Sequence, residues 1–170
     1  FLALVASGGH TILADVWDYT GISLIGTTRD DAAGEAFDKI ARTLGLPYPG
    51  GKAMDELARR GDPSHYPLPH AALSGNPYDF SFSGLKTAAI NLIHNASQKG
   101  ETICKEDLAA AVCHAVADAV VPKMIDAARK THRTTLAAAG GVAANSILRE
   151  KLQEAAAHNG MKVYLPPLSL

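Results

Sequence analysis

The feature that most constrains the fold is a strand that runs through two glycines directly into a helix. Segment 134–152 reads TTLAAAGGVAANSILREKL: small apolar residues precede Gly140 and Gly141, and a helix-forming stretch follows Asn145. An ordinary turn does not require paired glycines followed by further small residues. Such a loop lets another molecule approach the backbone closely, because glycine has no side chain to cover its N–H group. The segment therefore indicates a strand–loop–helix unit at a binding site.

The rest of the chain predicts an α/β domain that begins with an antiparallel β-meander. Strand-forming runs at 1–6, 11–19 and 22–27 are separated by short turns, and the first turn is the glycine-rich Ser7–His10. Apolar residues at helical spacing then predict flanking helices, and two later runs predict strands. The helices are expected at 30–44, 52–60, 83–96, 105–130 and 145–159, and the strands at 134–140 and 162–166.

Three local expectations accompany this assignment. Ser83 is expected to cap the third helix, because a serine hydroxyl readily accepts a hydrogen bond from an unpaired N–H group of the first turn. Pro122 is expected to kink or divide the fourth helix, because proline lacks the N–H group that the helix needs. The stretch 62–78, which contains several prolines, is expected to be irregular.

The composition indicates a globular protein without an obvious nucleic-acid or membrane surface. Hydrophobic residues make up 47% and charged residues 19% of the 170 residues, and the formal net charge is −1. No apolar run reaches the roughly 18 residues of a membrane span, and no signal peptide is evident. The two cysteines lack a paired spacing. A cytoplasmic protein in a reducing compartment is therefore expected.

The glycine loops are the strongest candidates for ligand binding. Besides AGGVAANS, the chain contains ASGGHT between two strands and PGGK before a helix. One such loop is more often an ordinary turn, but three together favour a nucleotide cleft, since exposed N–H groups and helix N-termini attract phosphate. The P-loop and dinucleotide-binding patterns are absent. Leu46 stands where the P-loop needs its first glycine, and Ala53 replaces its serine or threonine.

Carboxylates give a weaker signal. Four of them lie near one helix start: Asp30, Asp31, Glu35 and Asp38. Complementarity to the helix dipole explains the first turn well, but it explains Asp38, two turns in, less well. Asp55 follows Gly51 by one turn, near another helix start, where its carboxylate is placed to accept hydrogen bonds from ribose hydroxyl groups.

Histidine and serine patterns add no firm site. The seven histidines form no metal-binding motif, so no metal site is predicted within this chain. Ser83 and Lys86 match the S-x-x-K motif of penicillin-recognising enzymes, but the companion motifs of those enzymes are missing. A helix cap and a surface lysine are the simpler interpretation of this pair.

Four longer segments carry a family resemblance: VASGGHT, DDAAGEAFDKIARTLGLPYPGG, FSFSGLKTA and AAGGVAANSILRE. Together they resemble the tRNA N6-adenosine threonylcarbamoyltransferases, formerly called O-sialoglycoprotein endopeptidases or glycoproteases, over essentially the whole chain. The resemblance implies an actin-like ATPase (ribonuclease H-like, ASKHA) fold with a nucleotide between two subdomains. It also implies transfer of a threonylcarbamoyl group from threonylcarbamoyl-adenylate to N6 of adenosine 37 in tRNAs that read ANN codons.

By motif, the resemblance implies nine positions that bind an adenylate or ATP, and it identifies no catalytic residue. The positions are Val5, Ala6, Ser7, Gly8, Gly9, Asp38, Gly51, Asp55 and Asn145. Asn145 would bond to the nucleotide from the first turn of its helix. Asp38 and Asn145 are both expected at exposed helix starts, where neither supports the core. The implied partners are tRNA, threonylcarbamoyl-adenylate, a homologous non-catalytic subunit and a small ATPase subunit, with no membrane.

The resemblance further implies one iron or zinc ion, bound through an H-x-x-x-H pair and an aspartate of a CTDN motif. Residues 1–170 contain neither motif. They are therefore expected to be most of the second subdomain of a longer enzyme, without the first subdomain and the terminal metal-ligand motifs, and inactive alone. Two alternatives remain: a non-catalytic paralogous partner subunit, against which the retained DDAAGEAFDK and GGVAANS argue, and a small-molecule kinase of the same superfamily.

Overall fold

The computed structural model describes residues 1–167, and at its centre is a five-stranded sheet. The strands are β1 (Leu2–Ala6), β2 (Thr11–Val16), β3 (Ile22–Thr27), β4 (Thr135–Ala139) and β5 (Lys162–Tyr164). Their order is β3-β2-β1-β4-β5. The first three form the predicted antiparallel meander, whereas β4 pairs parallel to β1 and β5 parallel to β4. The sheet is therefore mixed, and the five predicted strands are confirmed.

The described residues also form the five predicted α-helices, with shifted ends. They are α1 (Ala33–Thr43), α2 (Gly50–Ala58), α3 (Ser83–Gln98), α4 (Lys105–Lys130) and α5 (Ser146–His158), and a 3-10 helix (Gly141–Ala144) precedes α5. Helix α2 begins two residues before the predicted start. Gly51 therefore lies in the first turn of α2, whereas the sequence had placed it in a loop before the helix. Residues 62–78 contain neither helix nor strand, as predicted.

Helix α4 crosses the core. Pro122 lies inside it, yet the helix continues from Lys105 to Lys130. Of the two expected effects, the division at this residue is wrong, and the kink stays a prediction. By length and composition alone α4 is apolar enough to cross a membrane, which the sequence analysis did not expect. However, 72% of its most apolar 18-residue stretch is buried within the fold. Contacts with α2, α5 and β1 account for this apolar character.

The cap of α3 comes from a distant carboxylate. Ser83 is the first residue of α3 and provides no side-chain cap, so that prediction is wrong. Oδ1 of Asp30 instead accepts the N–H groups of Phe82 and Ser83, at 2.9 and 3.3 Å. The first N–H groups of a helix have no partner within the helix, and this carboxylate supplies one.

The two faces of the sheet differ in their cover. Leu2, Leu4, Leu13 and Leu136 project from one face and are fully buried in the core that the helices form. Because side chains alternate along a strand, the residues between them project from the other face. This second face, here called the open face, carries Ala3, Val5, Ile12, Ala14, Ile22, Leu24, Ala137 and Tyr164. Leu24 and Tyr164 are 67% and 62% exposed, so the open face is an accessible apolar surface.

Candidate functional site

A cleft of about 480 Å3 lies where the β1–β2 turn, α1, α2 and the loop after β4 meet. Its lining includes Gly8, Asp38, Gly51, Asp55, Gly141 and Asn145. The first of these belongs to the hairpin turn, and the last two follow β4. The hairpin turn and the loop after β4 therefore border one cleft, although the sequence separates them by more than a hundred residues.

The hairpin turn is fixed to the N-terminus of α1. The N–H group of Gly34 donates to the carbonyl oxygen of Ser7 at 3.2 Å, and that of Ala33 donates to the buried hydroxyl of Thr11 at 3.0 Å. A Cβ atom on Gly34 would lie only 2.5 Å from the same Ser7 oxygen, so this close contact requires glycine. The contact holds the hairpin turn, including Gly8, against the start of α1.

The glycines near the cleft fall into two sets. The first set consists of Gly34, Gly50 and Gly140, where an added Cβ would clash with another part of the chain. Gly140 is the clearest case, because it has a φ of +94° and its Cβ would lie 2.2 Å from the carbonyl oxygen of Ala6. The second set consists of Gly8, Gly51 and Gly141, which line the cleft and where a Cβ would meet nothing within 4 Å. Packing within the chain explains why the first set must be glycine, but it gives no reason for glycine at the positions of the second set.

Asp38 lies in the middle of α1 and joins two helices. Its Oδ1 accepts the N–H group of Gly50 at 2.7 Å and so caps α2, whose own N-cap residue Pro49 makes no side-chain bond. The expectation that Asp38 sits at an exposed helix start is therefore wrong. Within residues 1–167 its Oδ2 makes no hydrogen bond, and the side chain borders the cleft.

Asp55 is buried and links α2 to the start of α5. Its Oδ1 accepts both the N–H group and the hydroxyl of Ser146, at 2.8 and 2.7 Å. Its Oδ2 pairs with Nη2 of Arg59 at 2.9 Å. The carboxylate thus complements the N-terminus of α5. The predicted contact with ribose stays a prediction.

Asn145 is the N-cap of α5 and is only 7% exposed, so the expectation of an exposed side chain in the first helical turn is wrong. Its Oδ1 accepts the N–H group of Leu148 at 3.0 Å, and its Nδ2 donates to Sγ of Cys113 at 3.2 Å. Burial raises the pKa of the Cys113 thiol to about 12, so the sulfur is neutral. Sequence reasoning did not connect Cys113 with the site, because the cysteine lies on α4 and no local motif marks it.

The other hairpin residues of the implied ligand set lie outside the cleft lining. The side chain of Val5 belongs to the open face, and that of Ala6 is buried in the core. Ser7 is used within the turn, where its hydroxyl accepts the N–H group of His10 at 3.2 Å. Gly9 has open space around it but does not line the cleft. Of the five predicted hairpin positions, the structure brings Gly8 into the cleft.

A charged cluster around Asp31 explains the S-x-x-K pair. Oδ2 of Asp31 accepts the hydroxyl of Ser83 at 2.9 Å and pairs with Nζ of Lys86 at 2.5 Å, and Oδ1 pairs with Lys39. Burial by itself raises the pKa of Asp31, but the hydrogen bonds from Lys86, Lys39 and Ser83 outweigh it and lower the pKa to about 2. Both members of the motif therefore bind a carboxylate. Ser83 is not the predicted helix cap, and the side chain of Lys86 is only 21% exposed, so the interpretation as a cap and a surface lysine is wrong for Ser83 and only partly right for Lys86.

Residues 1–167 contain no group of three or more histidine, cysteine, aspartate or glutamate side chains placed to hold a metal ion. This part of the chain therefore offers no ligand set that fits the iron or zinc ion implied by the resemblance.

The profile of the family described as tRNA N6-adenosine threonylcarbamoyltransferase matches residues 2–170. The chain belongs to this family. The tRNA N6-adenosine threonylcarbamoyltransferase of Bacillus subtilis is 52% identical to it over 170 residues, and that of Moorella thermoacetica is 50% identical over 169 residues. Each alignment covers 99% of this chain and 49% of the relative. The chain thus spans about half the length of the curated relatives that it matches.

Solved structures share the architecture of this family member at low identity. Component A of the (R)-2-hydroxyglutaryl-CoA dehydratase from Acidaminococcus fermentans matches 98% of the chain with a TM-score of 0.54 and 20% identity, over 55% of its own length. HypF from T. kodakarensis matches 84% of the chain with a TM-score of 0.53 and 19% identity, over 17% of its own length. At such low identity these structural matches bear on the fold alone, and they confirm the expected actin-like ATPase architecture.

Proposed function

We propose that this chain is part of an acyltransferase that moves a threonylcarbamoyl group from threonylcarbamoyl-adenylate to N6 of adenosine 37 in ANN-decoding tRNAs. The family match and the names of the two relatives support this proposal. In this transfer the N6 nitrogen forms a bond to the carbamoyl carbon and loses a proton. The bond from that carbon to the phosphate oxygen breaks, and AMP leaves. The contribution of this chain is to hold the adenylate part of the donor.

The observation that carries the proposal is the second set of glycines. Gly8, Gly51 and Gly141 come from three separate elements and converge on one cleft, and the packing of the chain requires a glycine at none of them. A methyl group at any of these positions would occupy cleft space and cover a backbone N–H group, the group that suits a phosphate. The cleft volume of about 480 Å3 lies within the range of roughly 300–1,000 Å3 that is typical of small-molecule sites.

Three polar side chains are available to orient a nucleotide in this cleft. Asp38 offers its Oδ2 atom, and Asp55 and Asn145 each keep acceptor capacity beyond the helix caps that they make. Carboxylate oxygens accept hydroxyl donors such as those of ribose, whereas the amide of Asn145 both donates and accepts. These side chains, with the open glycines, form the proposed adenylate site.

The proposed enzyme is larger than this chain. We place residues 1–170 as most of its second subdomain, with the first subdomain completing the nucleotide site. The open face supports this placement, since a broad apolar sheet face is normally covered by further chain or by a partner. The implied iron or zinc ion would be held by residues outside the described part of the chain. The tRNA, the homologous non-catalytic subunit and the small ATPase subunit would act with the longer protein in the cytoplasm.

The proposal is tested with the full-length polypeptide, threonylcarbamoyl-adenylate and an ANN-decoding tRNA, with modified adenosine measured by mass spectrometry. Product is expected with the full-length protein and its partner subunits, and none with residues 1–170 alone. Asp38→Ala and Asn145→Ala should each weaken adenylate binding by roughly tenfold or more, through the loss of a charge-assisted or buried hydrogen bond. Asp118→Ala, at a surface carboxylate outside this cleft, is the control.

Two results would contradict the proposal. Robust turnover by residues 1–170 alone would show that the site needs no further subdomain. Unchanged turnover in both full-length variants would show that the cleft does not hold the adenylate. The two alternatives also separate here: a non-catalytic paralogue would give no product, and a small-molecule kinase would consume ATP in the absence of tRNA.

A further inference from the structure

Asn145 is held at both ends of its side-chain amide. The bond from the Leu148 N–H group to Oδ1 is an ordinary helix cap. The bond from Nδ2 to Sγ of Cys113 is not part of a cap, and it joins the loop after β4 to the middle of α4. A residue that lines the cleft is thus anchored to a helix buried in the core.

We propose that Cys113 is a positioning residue for the nucleotide site, because its sulfur holds the amide of Asn145 in the orientation that a bound nucleotide meets. With one N–H bonded to the sulfur and one lone pair of Oδ1 bonded to Leu148, the amide keeps one N–H and one lone pair for a ligand. The inference rests on the proposed function, since it concerns the same site.

Because this pair is buried, the amide of Asn145 depends on the sulfur as its hydrogen-bond acceptor. Cys113 is 1% exposed, so water does not readily replace the sulfur as an acceptor. A buried amide N–H group that loses its acceptor is strongly disfavoured. Without the sulfur, the amide of Asn145 relieves that loss by rotating toward the cleft. The groups presented to a nucleotide would then change, although no residue in contact with the nucleotide had been replaced.

Cys113 also belongs to the hydrophobic core, and a packing role alone must be distinguished from a positioning role. The distinction comes from two substitutions. Cys113→Ser keeps an acceptor at the same position but puts a more polar group into the core. Cys113→Ala removes the acceptor and leaves the surroundings apolar. A packing role predicts that nucleotide affinity follows stability, whereas a positioning role predicts that affinity follows the presence of an acceptor.

The experiment measures ATP affinity by isothermal titration calorimetry and the thermal midpoint for each full-length variant. Cys113→Ala is expected to bind ATP about tenfold more weakly than the wild type. Cys113→Ser is expected to stay within about twofold, as is the control Cys104→Ala at the other cysteine, which lies outside the cleft. If Cys113→Ala does not fold, Cys113→Val replaces it, since valine also lacks an acceptor.

A double variant tests independently whether Cys113 acts through Asn145. In an Asn145→Ala background, the further change Cys113→Ala should weaken ATP binding by less than about twofold, because the amide that the sulfur positions is already gone. Equal ATP affinity of wild type and Cys113→Ala, or affinities that follow the thermal midpoints, would overturn this inference alone. Absence of binding of both ATP and AMP by the wild type would overturn the proposed adenylate site and this inference with it.

Discussion

Alanine substitutions at two adjacent glycines are expected to change stability in opposite directions. At Gly141 the new methyl group would have no atom within 4 Å, and the backbone is outside the left-handed region. Gly141→Ala should therefore stabilise the fold by about 0.4–1 kcal/mol, since alanine has fewer conformations to lose on folding. At Gly140 the left-handed φ costs about 1–3 kcal/mol. The overlap with the carbonyl oxygen of Ala6, at 2.2 Å, adds to this cost because β1 and β4 would have to separate.

Nucleotide binding should not follow these stabilities. Gly141→Ala places a methyl group in the cleft and should weaken ATP binding by about tenfold or more, which corresponds to at least about 1.4 kcal/mol. Gly84→Ala is the matched control, because its Cβ also meets nothing within 4 Å but it lies outside the cleft lining. Urea denaturation measures the free energy of unfolding, and calorimetric titration with ATP measures the affinity.

Two outcomes would refute these expectations. One is that Gly141→Ala is destabilised as strongly as Gly140→Ala, because position 141 would then not tolerate a methyl group. The other is that Gly141→Ala and Gly84→Ala bind ATP alike, because the open glycines would then have no role in binding.

Three further predictions concern the carboxylates. Asp31→Asn should cost about 2 kcal/mol of unfolding free energy at neutral pH, because the pKa falls from 3.8 to about 2 on folding. That cost is present above the unfolded pKa and should vanish as the pH falls to about 2, which acid denaturation of both proteins will check. Asp30→Ala should destabilise the protein by about 1–2 kcal/mol in urea through the lost cap of α3. Asp38→Ala should lower the free energy of unfolding in urea by about 1 kcal/mol through the lost cap of α2, in addition to weakening ATP binding. An unchanged free energy of unfolding would contradict the capping role.

Local sequence patterns predicted most of the secondary structure. The alternation of apolar and polar residues in β2 and the helical spacing of apolar residues in α1 reflect contacts that the fold makes, so both elements were predictable from local sequence. The failures are at element ends, and of the two effects expected of Pro122 the division of α4 did not occur. The cap of α3 comes from Asp30, far from it in sequence, and tertiary packing keeps α4 continuous through its proline.

The candidate site was predictable as a set of glycine loops but not as an arrangement. A GG pair indicates that the backbone needs conformational freedom or space. The sequence does not show whether a packing contact or an open cleft is the reason. Only the packed structure separates Gly140, which is needed because β1 lies against it, from Gly141, which faces open cleft space. The same holds for Asp38, whose bond to Gly50 exists only because α1 and α2 are packed together.

The sequence by itself therefore determined the order and type of the elements, the family and the three glycine-bearing segments, one of which proved to lie in a helix. Those properties depend on neighbouring residues or on long matching motifs. The tertiary structure alone decided which glycines are free to meet a ligand, which carboxylates cap distant helices and that Cys113 holds Asn145. Each of these depends on atoms that are remote in sequence and are brought within hydrogen-bond or van der Waals distance only when the helices pack on one face of the sheet.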